Sequence, residues 1–322
     1  MIASATGALV DPSPGVSVVV PVYNSAEILP RLVARLAPVL EASGQPHELI
    51  LVNDGSQDRS WIVIQELAAR HEWLRGIGMM RNYGQHNALL AGIRAARFNV
   101  IATMDDDLQH PPEELPKLLT LFAEGFDVVY GTPLREQHGF LRDAASIITK
   151  LALQSSMGAK TARMVSPWRV FRTQIRNAFE SYDSPFVSID VLLTWGTTSF
   201  SAIAVRHDPR AIGSSNYTFI KLLRHAMNMM TGFSVLPLQI ASVIGFAFTL
   251  FGLGVLAYVL GRYMLHGSTV AGFPFLASII AIFSGAQLFA LGMMGEYLAR
   301  MHFRLMDKPA YKVREQTPLR TP

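Results

Sequence analysis

The chain has 322 residues, of which 50% are hydrophobic and only 16% are charged. Soluble domains average about 25% charged residues, so this composition excludes one ordinary soluble domain and places part of the chain in lipid. The lack of cysteine excludes disulfides, a thiolate nucleophile and a cysteine-ligated metal. The net charge of +4 does not indicate nucleic-acid binding, because most of the basic excess flanks two apolar runs, where anionic lipid headgroups account for it.

Apolar runs alternate with helical patterns through the first part of the chain. Residues 1–15 have no cationic start and no long apolar core, so we expect a flexible N-terminus and no signal peptide. The predicted strands are 16–22, 48–53, 74–80, 99–104 and 126–131, and the predicted helices are 27–42, 59–71 and 86–97. This alternation predicts an α/β domain over 16–215 with an open, mostly parallel sheet and flanking helices. Its last part is less regular, with predicted helices at 141–156 and 189–195 and strands at 168–171 and 199–205.

A polar cluster follows each of the first four predicted strands. The clusters read PVYNS, NDGSQD, RNYGQ and DDDLQ in chain order. Ligands of open α/β sheets bind beyond the carboxyl ends of the strands, so the four clusters predict one shared site. Each cluster alone also suits an ordinary turn, but the set offers acids for a metal and for base or ribose hydroxyls, with Arg81 available for phosphate. We interpret it as a metal–nucleotide site.

Three adjacent aspartates, Asp105 to Asp107, end the fourth predicted strand. Adjacent carboxylates repel each other, so they are tolerated when solvated or neutralised by a cation. In an extended backbone Asp105 and Asp107 point to the same side, with Gln109 following on that side. Such oxygen ligands suit Mg²⁺ or Mn²⁺ completed by substrate phosphates, although an acidic loop without metal is the alternative. The nine histidines show no metal-ligand spacing, so we expect His86, His110 and His207 to be loop or surface polar groups.

Two apolar runs, 232–261 and 267–295, contain no Asp, Glu, Lys, Arg or His. A crossing helix needs about 20 apolar residues, so 232–298 is predicted to form two antiparallel transmembrane helices. Apolar residues at near-helical spacing over 216–231, interleaved with Lys221 and Arg224, predict a helix in the membrane interface. Basic residues flank the pair on both sides, and Arg262 is the one cationic residue between the runs. The positive-inside rule then places the α/β domain, both termini and the tail at 299–322 in the cytoplasm.

The ordered set VSVVVPVYN, LVNDGS, RNYGQHNALLAGI, MDDDLQHPPEEL, GSSNYTF and GMMGEYLARM resembles the inverting family-2 glycosyltransferases that act on polyprenyl phosphates. The similarity covers residues 16–312 and is greatest to bactoprenol glucosyltransferases and undecaprenyl-phosphate aminoarabinose transferases, with dolichol-phosphate mannose synthase more distant. It implies a GT-A-like fold, a nucleotide-sugar donor, most simply a UDP-sugar, a polyprenyl-phosphate acceptor and a tetramer in the plasma membrane. The implied reaction is inverting transfer of one sugar to the lipid phosphate, assisted by Mg²⁺ or Mn²⁺.

The resemblance also implies roles for individual residues. The implied nucleotide-binding residues are Pro21, Tyr23, Asn24, Asp54, Gly55, Ser56, Arg81, Asp105 and Asp106. The implied metal ligands are Asp105, Asp107 and Gln109. The residues implied to contact donor and acceptor phosphates are Arg210, Ser215, Asn216 and Tyr217, with Asp107 and Arg210 as the catalytic groups.

The chain departs from the family pattern at three places. Ser25 and Ala26 stand where many relatives have an acidic residue, and Asn216 stands where several have lysine. Arg163 and Met164 stand where relatives carry an aspartate proposed as the base. Two alternatives therefore remain: a catalytically silent, membrane-anchored nucleotide-sugar-binding protein, and a processive polysaccharide synthase. The second lacks a Q-x-x-R-W element and has too few spans for a channel in one protomer.

Overall fold

The computed structural model describes residues 12–133, 157–208, 236–266 and 273–318. The strands of these residues are β1 (Ser13–Val22), β2 (His47–Asn53), β3 (Leu74–Met79), β4 (Phe98–Thr103), β5 (Val128–Pro133), β6 (Arg169–Arg172), β7 (Phe200–Val205) and β8 (Val313–Gln316). They form one sheet in the order β7-β5-β6-β4-β1-β2-β3-β8. Each of the seven strands predicted from the sequence is present, with its ends within three residues of the prediction.

Strands β1 to β4 form the parallel half of the sheet. Val18 of β1 lies opposite Leu49 of β2 on one side and Ala102 of β4 on the other. The β-branched run of β1 is buried from Val16 to Val22, as expected for a strand covered on both faces. Full burial of each such side chain stabilises the fold by about 1.5–3 kcal/mol, so this strand anchors the domain.

Helices cover both faces of the sheet. The helices of this domain are α1 (Leu29–Ala42), α2 (Ser60–Arg70), α3 (Gln85–Ala95), α4 (Leu115–Ala123), α5 (Ala159–Ala162) and α6 (Ile189–Gly196), with 3-10 helices at Pro112–Glu114 and Thr173–Phe179. Apolar residues of α1, α2 and α4 share one core cluster, whereas those of α3 and α6 share the other. The domain therefore has three layers, as the predicted α/β class requires.

The other half of the sheet is mixed. Strand β6 runs antiparallel to both β4 and β5, and β5 runs parallel to β7. Strand β6 is only four residues long, yet it brings Arg169 opposite Thr103, immediately before the aspartates. The predicted fold class is confirmed, with more antiparallel pairing than the sequence indicated. The predicted helices at 141–156 and 216–231 lie outside the described residues.

Two long helices follow the domain, α7 (Leu236–His266) and α8 (Phe273–Leu305). They pack on each other where the rings of Phe248 and Phe283 lie 5.8 Å apart. Among the described residues, one helix, Leu236–Leu265, is long and apolar enough to cross a membrane by length and composition. Helix α8 has 33 residues, and its first charged residue is Glu296.

The C-terminal residues differ from the tail expected over 299–322. Helix α8 continues to Leu305, and Val313–Gln316 forms β8, which pairs antiparallel with β3 at the edge of the sheet. The chain after the apolar helices therefore returns to the α/β domain. Strand β8 covers an edge that would otherwise present unpaired backbone groups.

Candidate active site

A cavity of about 240 Å³ opens beyond the carboxyl ends of β1, β2, β3 and β4. Its lining residues come from the four polar loops that follow these strands. They are Pro21, Val22, Tyr23, Asp54, Asn82, Gly84, Gln85, Asp105, Asp106 and Asp107. The structure thus brings together the loops that the sequence predicted to meet.

The loop after β1 offers an aromatic ring to the cavity. Tyr23 is 46% exposed although it directly follows the buried run from Val16 to Val22. Asn24 has a left-handed backbone (φ 54°), and its N–H donates to Oγ of Ser56 at 3.0 Å while its Oδ1 accepts the N–H of Gln57 at 2.8 Å. Asn24 and Ser56 therefore tie the first two loops together. Neither lines the cavity, unlike the predicted nucleotide contacts Pro21 and Tyr23.

Asp54 ties the second loop to the third. It is only 3% exposed, and its two carboxylate oxygens accept the backbone N–H groups of Tyr83 at 2.7 Å and Gly84 at 2.8 Å. Burial raises the pKa of Asp54 above its ordinary value, while these two hydrogen bonds and Arg81 oppose the shift. Asp54 still lines the cavity, but much of its hydrogen-bonding capacity serves to shape the loop.

The third loop contributes residues that the sequence analysis did not assign. Asn82, Gly84 and Gln85 line the cavity, whereas Arg81 does not. The guanidinium of Arg81 lies over the ring of Tyr83, 4.2 Å from its centroid. The motif RNYGQ predicts this loop as part of the site, but the cavity is lined by its amide residues Asn82 and Gln85 and not by the cationic Arg81.

The aspartate loop turns instead of continuing the strand. Strand β4 ends at Thr103, Asp106 and Asp107 lie in a turn, and Leu108 has a left-handed backbone (φ 58°). The expectation that Asp105 and Asp107 lie on one side of an extended backbone is therefore wrong, because the backbone between them is not extended. A buried leucine in this conformation is uncommon and costs about 1–3 kcal/mol, so the surrounding contacts hold the turn in place.

The three aspartates have different local partners. Asp105 accepts a hydrogen bond from Nε2 of Gln85 at 2.6 Å, and Asp107 accepts the backbone N–H of Gln109 at 3.1 Å. Burial raises the pKa of Asp106 to about 6, with the charge of Asp107 adding to the shift and a hydrogen bond from Ser25 opposing it. Negative charge is thus concentrated at this edge of the cavity.

This concentration fits a divalent cation held by few protein groups. Within the described ranges, no three Asp, Glu or His side chains converge as a metal cluster. Asp105 and Asp107 both line the cavity, so one or two carboxylates can bind a cation whose other ligands are phosphate oxygens and water. Gln109 does not line the cavity, and its ligand role stays a prediction.

A protein-family model described as "Glycosyl transferase family 2" matches residues 17–182, which contain all four loops of the cavity. The chain belongs to glycosyl transferase family 2. The resemblance found in the motifs is thereby confirmed at the level of the family. Met164 and Arg163 lie inside the matched region, so their departure from the family pattern is a property of a true member.

Relatives cover nearly the whole of this glycosyltransferase. An undecaprenyl-phosphate 4-deoxy-4-formamido-L-arabinose transferase of Pectobacterium carotovorum is 34% identical over 317 residues, covering 98% of this chain and 97% of the relative. One of the same name from Pseudomonas aeruginosa is 34% identical and covers 92% of this chain and 88% of the relative. Among solved structures, glucosyl-3-phosphoglycerate synthase from Mycobacterium tuberculosis, in complex with Mn²⁺, UDP and phosphoglyceric acid, is similar with a TM-score of 0.51 at 16% identity, over 68% of this chain and 76% of that one. This last likeness shows the fold alone.

A buried polar cluster lies behind the aspartate loop of the glycosyltransferase. His110 is only 5% exposed, and its ring lies 5.4 Å from that of Trp168 and 5.2 Å from that of His207. His110 lies in a loop, as expected, but it is buried and is not a surface group. His86 lies in α3, where its Nδ1 accepts the N–H of Ile189 at 3.3 Å. Burial lowers the pKa of His110 to about 4, and His207 adds to the shift, so this imidazole is neutral at pH 7. It supports the loop as a packed, uncharged ring.

A buried ion pair backs the same region. Arg169 and Asp190 lie 2.9 Å apart with almost no exposure, and the hydroxyl of Tyr130 donates to Asp190 at 3.2 Å. Breaking one partner of such a pair costs about 3–5 kcal/mol, since the remaining charge stays buried. The pair therefore holds β5, β6 and α6 together beneath the cavity.

The end of the domain is bonded to the aspartate loop. The N–H of Asp208 donates to the carbonyl oxygen of Gln109 at 2.9 Å. Arg35 of α1 forms two hydrogen bonds with Glu113 and lies 3.9 Å from Asp208. These contacts direct the chain that leaves β7 along the rim of the site.

The predicted phosphate-binding residues Arg210, Ser215, Asn216 and Tyr217 lie outside the described residues. The positions where relatives carry an acid are described: Arg163 follows α5, and Met164 packs against the core cluster shared by α3 and α6. Met164 is thus an apolar packing residue, so neither of these two positions offers a carboxylate that could act as a base.

Proposed function

We propose that this family-2 glycosyltransferase transfers one sugar from a nucleoside diphosphate sugar to the phosphate of a membrane polyprenyl phosphate. The observation that carries the proposal is the full-length similarity to relatives named undecaprenyl-phosphate transferases. The cavity formed by the four strand-end loops supports a donor site, because its lining combines the aspartates with the ring of Tyr23.

The donor is a UDP-sugar in this proposal. The ring of Tyr23 and the neighbouring Pro21 offer apolar surface to a base, and the lining amides of Asn82 and Gln85 offer donors and acceptors. The solved relative from Mycobacterium tuberculosis holds UDP together with Mn²⁺. A uridine nucleotide is therefore the first ligand to test.

Asp105 and Asp107 are the residues proposed to hold Mg²⁺ or Mn²⁺. When bound, the cation neutralises charge that develops on the leaving diphosphate. The carboxylate of Asp105 stays oriented by Gln85, and the carboxylate of Asp107 stays oriented by the N–H of Gln109. Orientation before the reaction avoids reorganisation as charge develops.

The proposed chemistry is a single displacement with inversion. An oxygen of the lipid phosphate forms a bond to the anomeric carbon while the bond to the nucleoside diphosphate breaks, and the electron pair leaves with the diphosphate. A phosphate monoester has a second pKa of about 6, so it is already a nucleophilic dianion at neutral pH. The apolar Met164 is compatible with this reaction because no side-chain base is needed.

The residues proposed to bind the acceptor come shortly after Asp208, which is hydrogen-bonded to the aspartate loop. Arg210, Ser215, Asn216 and Tyr217 are proposed to contact the acceptor and donor phosphates. Asp208, bonded to Gln109, brings the chain to this side of the cavity just before Arg210. Arg210 is proposed to stabilise the charge that moves between the two phosphates.

The membrane arrangement completes the proposal. Helices α7 and α8 are proposed to cross the plasma membrane as a hairpin, with the catalytic domain and both termini on the cytoplasmic side. The segment 216–231 is proposed to lie in the interface, among membrane lipids. This arrangement replaces a three-dimensional search for the acceptor by a search along a surface. A tetramer stays a prediction from the resemblance.

The test is a panel of nucleotide sugars incubated with purified protein, Mn²⁺ and polyprenyl phosphate, with lipid products identified by mass. We expect one lipid-linked monosaccharide, and loss of metal-dependent turnover in Asp107→Asn. Asp307→Asn is the control, because Asp307 is exposed beyond α8 and outside the cavity lining. Nucleotide binding without any lipid product supports a silent binding protein, and polymeric product supports a polysaccharide synthase.

A further inference from the structure

The chain that follows α8 docks on the catalytic domain through residues 309–317, here called the docking segment. Its strand β8 pairs with β3, and Thr317 exchanges two hydrogen bonds with the backbone of Gly76. Ala310 at the other end is 1% exposed, and its N–H donates to Oδ1 of Asp183 at 2.9 Å. The segment is therefore fixed at both ends.

The docking segment contacts the chain on either side of the third cavity loop, residues 81–85. Before the loop, Met80 donates its N–H to the carbonyl oxygen of Lys312 at 2.9 Å and accepts a hydrogen bond from the guanidinium of Arg314 at 3.1 Å. After the loop, Nδ2 of the buried Asn87 donates to the carbonyl oxygen of Ala310 at 2.6 Å. One segment thus secures both ends of the loop.

That loop forms a large part of the proposed donor site. Asn82, Gly84 and Gln85 line the cavity, and Gln85 orients Asp105. The N–H groups of Tyr83 and Gly84 are the partners of Asp54. If the ends of the loop were free, ordering it on each binding event would cost conformational entropy for every residue fixed.

We propose that the docking segment positions the donor site: by bonding to Met80 and Asn87 it holds loop 81–85 in the conformation that receives the nucleotide. Asn87 and Arg314 are then positioning residues, which act through the loop and not on the substrate. Only a few residues separate Leu305, where α8 ends, from the buried Ala310. The apolar helix and the donor cavity are therefore joined through the same segment. The inference rests on the proposed function for the identity of the nucleotide.

A purely structural role for β8, as a cover for the sheet edge, predicts a different result. In that case, loosening the segment lowers thermal stability but leaves nucleotide affinity unchanged. A positioning role predicts weaker nucleotide binding in protein that remains folded. The two roles are separated by measuring binding and local backbone exchange in the same variants.

The experiment uses the full-length protein in nanodiscs. Asn87→Ala removes the bond to Ala310 together with a longer one to the carbonyl oxygen of Pro185 at 3.2 Å. Arg314→Ala removes only the bond from its exposed side chain to Met80, so this second variant keeps the test valid if the first fails to fold. The control for Asn87→Ala is Asn99→Ala; the side-chain oxygen of Asn99, near the start of β4, accepts the N–H of Gly15 on β1. The control for Arg314→Ala is Arg70→Ala, because Arg70 is exposed at the end of α2. Dissociation constants for UDP with Mn²⁺ are measured by calorimetry, and hydrogen–deuterium exchange is followed in residues 81–85.

We expect both variants to raise the Kd for UDP by roughly three- to tenfold, the effect of one lost hydrogen bond, and to speed exchange in residues 81–85. Both controls should match the wild type. The inference is overturned if exchange in the loop quickens while the Kd stays at the wild-type value, or if loop exchange does not change in either variant. Wild-type protein that does not bind UDP contradicts the proposed donor and not the positioning role. The same comparison of Kd and loop exchange is then made with the nucleotide that the panel of nucleotide sugars identifies, and unchanged loop exchange in both variants still refutes positioning.

Discussion

Gln85 donates a hydrogen bond from Nε2 to Oδ1 of Asp105 across 2.6 Å, so the first residue of α3 orients the first of the three aspartates. A hydrogen bond to a charged group contributes about 1.5–3 kcal/mol. Gln85→Ala should therefore lower kcat/KM for the nucleotide sugar by roughly 10- to 100-fold. Steady-state kinetics at saturating Mn²⁺ measure this loss.

Gln65→Ala is the control for that prediction, because Gln65 is exposed on α2 and lies outside the cavity lining. It should retain wild-type kinetics. If Gln85→Ala matches it, Asp105 is held by its other contacts and the amide has no positioning role.

Gly55 brings the second and third loops into contact. Its φ is +65°, and an added Cβ would lie 2.4 Å from the carbonyl carbon of Arg81. Gly55→Ala should therefore combine a left-handed penalty of about 1–2 kcal/mol with an overpacking cost of about 1–3 kcal/mol. We expect a clear fall in the thermal midpoint and loss of UDP binding, because the loops that share Asp54 are pushed apart.

Gly44→Ala separates the two effects. Gly44 has nearly the same φ, +63°, but an added Cβ meets nothing within 4 Å. This variant should lose only the conformational part of the stability and bind UDP normally. Equal effects in the two variants would show that the backbone penalty dominates and that loop contact is unimportant.

The elements that local pattern determines could be predicted from the sequence. The β-branched run of β1 predicts a strand buried on both faces, and its observed burial agrees. The polar loops at the strand ends predict a shared site because parallel strands end at one edge, and Pro21, Tyr23 and Asp54 do meet in one cavity.

The remaining features depend on contacts between distant parts of the chain. The sequence of β8, VREQ, has no apolar alternation, so its strand conformation comes from pairing with β3. Gln85 and Asn87 begin a helix and show no periodic signal for the partners that they find, Asp105 and Ala310. The aspartates read as the end of a strand, whereas the left-handed Leu108 belongs to a turn that tertiary packing maintains.

Glu48 is buried at the start of β2 and binds two arginines, Arg75 at 2.9 Å and Arg97 at 3.0 Å. Burial raises the pKa of Glu48. The two arginines and a hydrogen bond from Ser17 together lower it by more than burial raises it, so the pKa lies below the ordinary value of 4.5. Glu48→Gln should destabilise the protein at pH 7 by about 3–5 kcal/mol, because two cations lose their buried partner. Thermal unfolding of the detergent-solubilised protein measures the change.

The pH dependence of that effect has a definite sign. Because the folded pKa of Glu48 is depressed, its contribution is fully present above 4.5, the unfolded value, and is lost as the pH falls through the folded pKa. The difference in thermal midpoint between wild type and Glu48→Gln should therefore be constant from pH 7 to 5.5 and shrink below about pH 4.5. A difference that grows on acidification contradicts the assignment.

The topology of the apolar hairpin can be tested with single thiols, because the chain has no cysteine of its own. Position 268 lies between α7 and α8, and position 43 is exposed at the end of α1. If α7 and α8 cross the membrane with the catalytic domain inside, a membrane-impermeant maleimide should label Ser268→Cys in intact spheroplasts. Ser43→Cys should react only after permeabilisation. If both thiols are labelled only after permeabilisation, the hairpin does not cross the membrane. The basic residues after Gly295 would then bind lipid headgroups without a membrane-spanning helix before them.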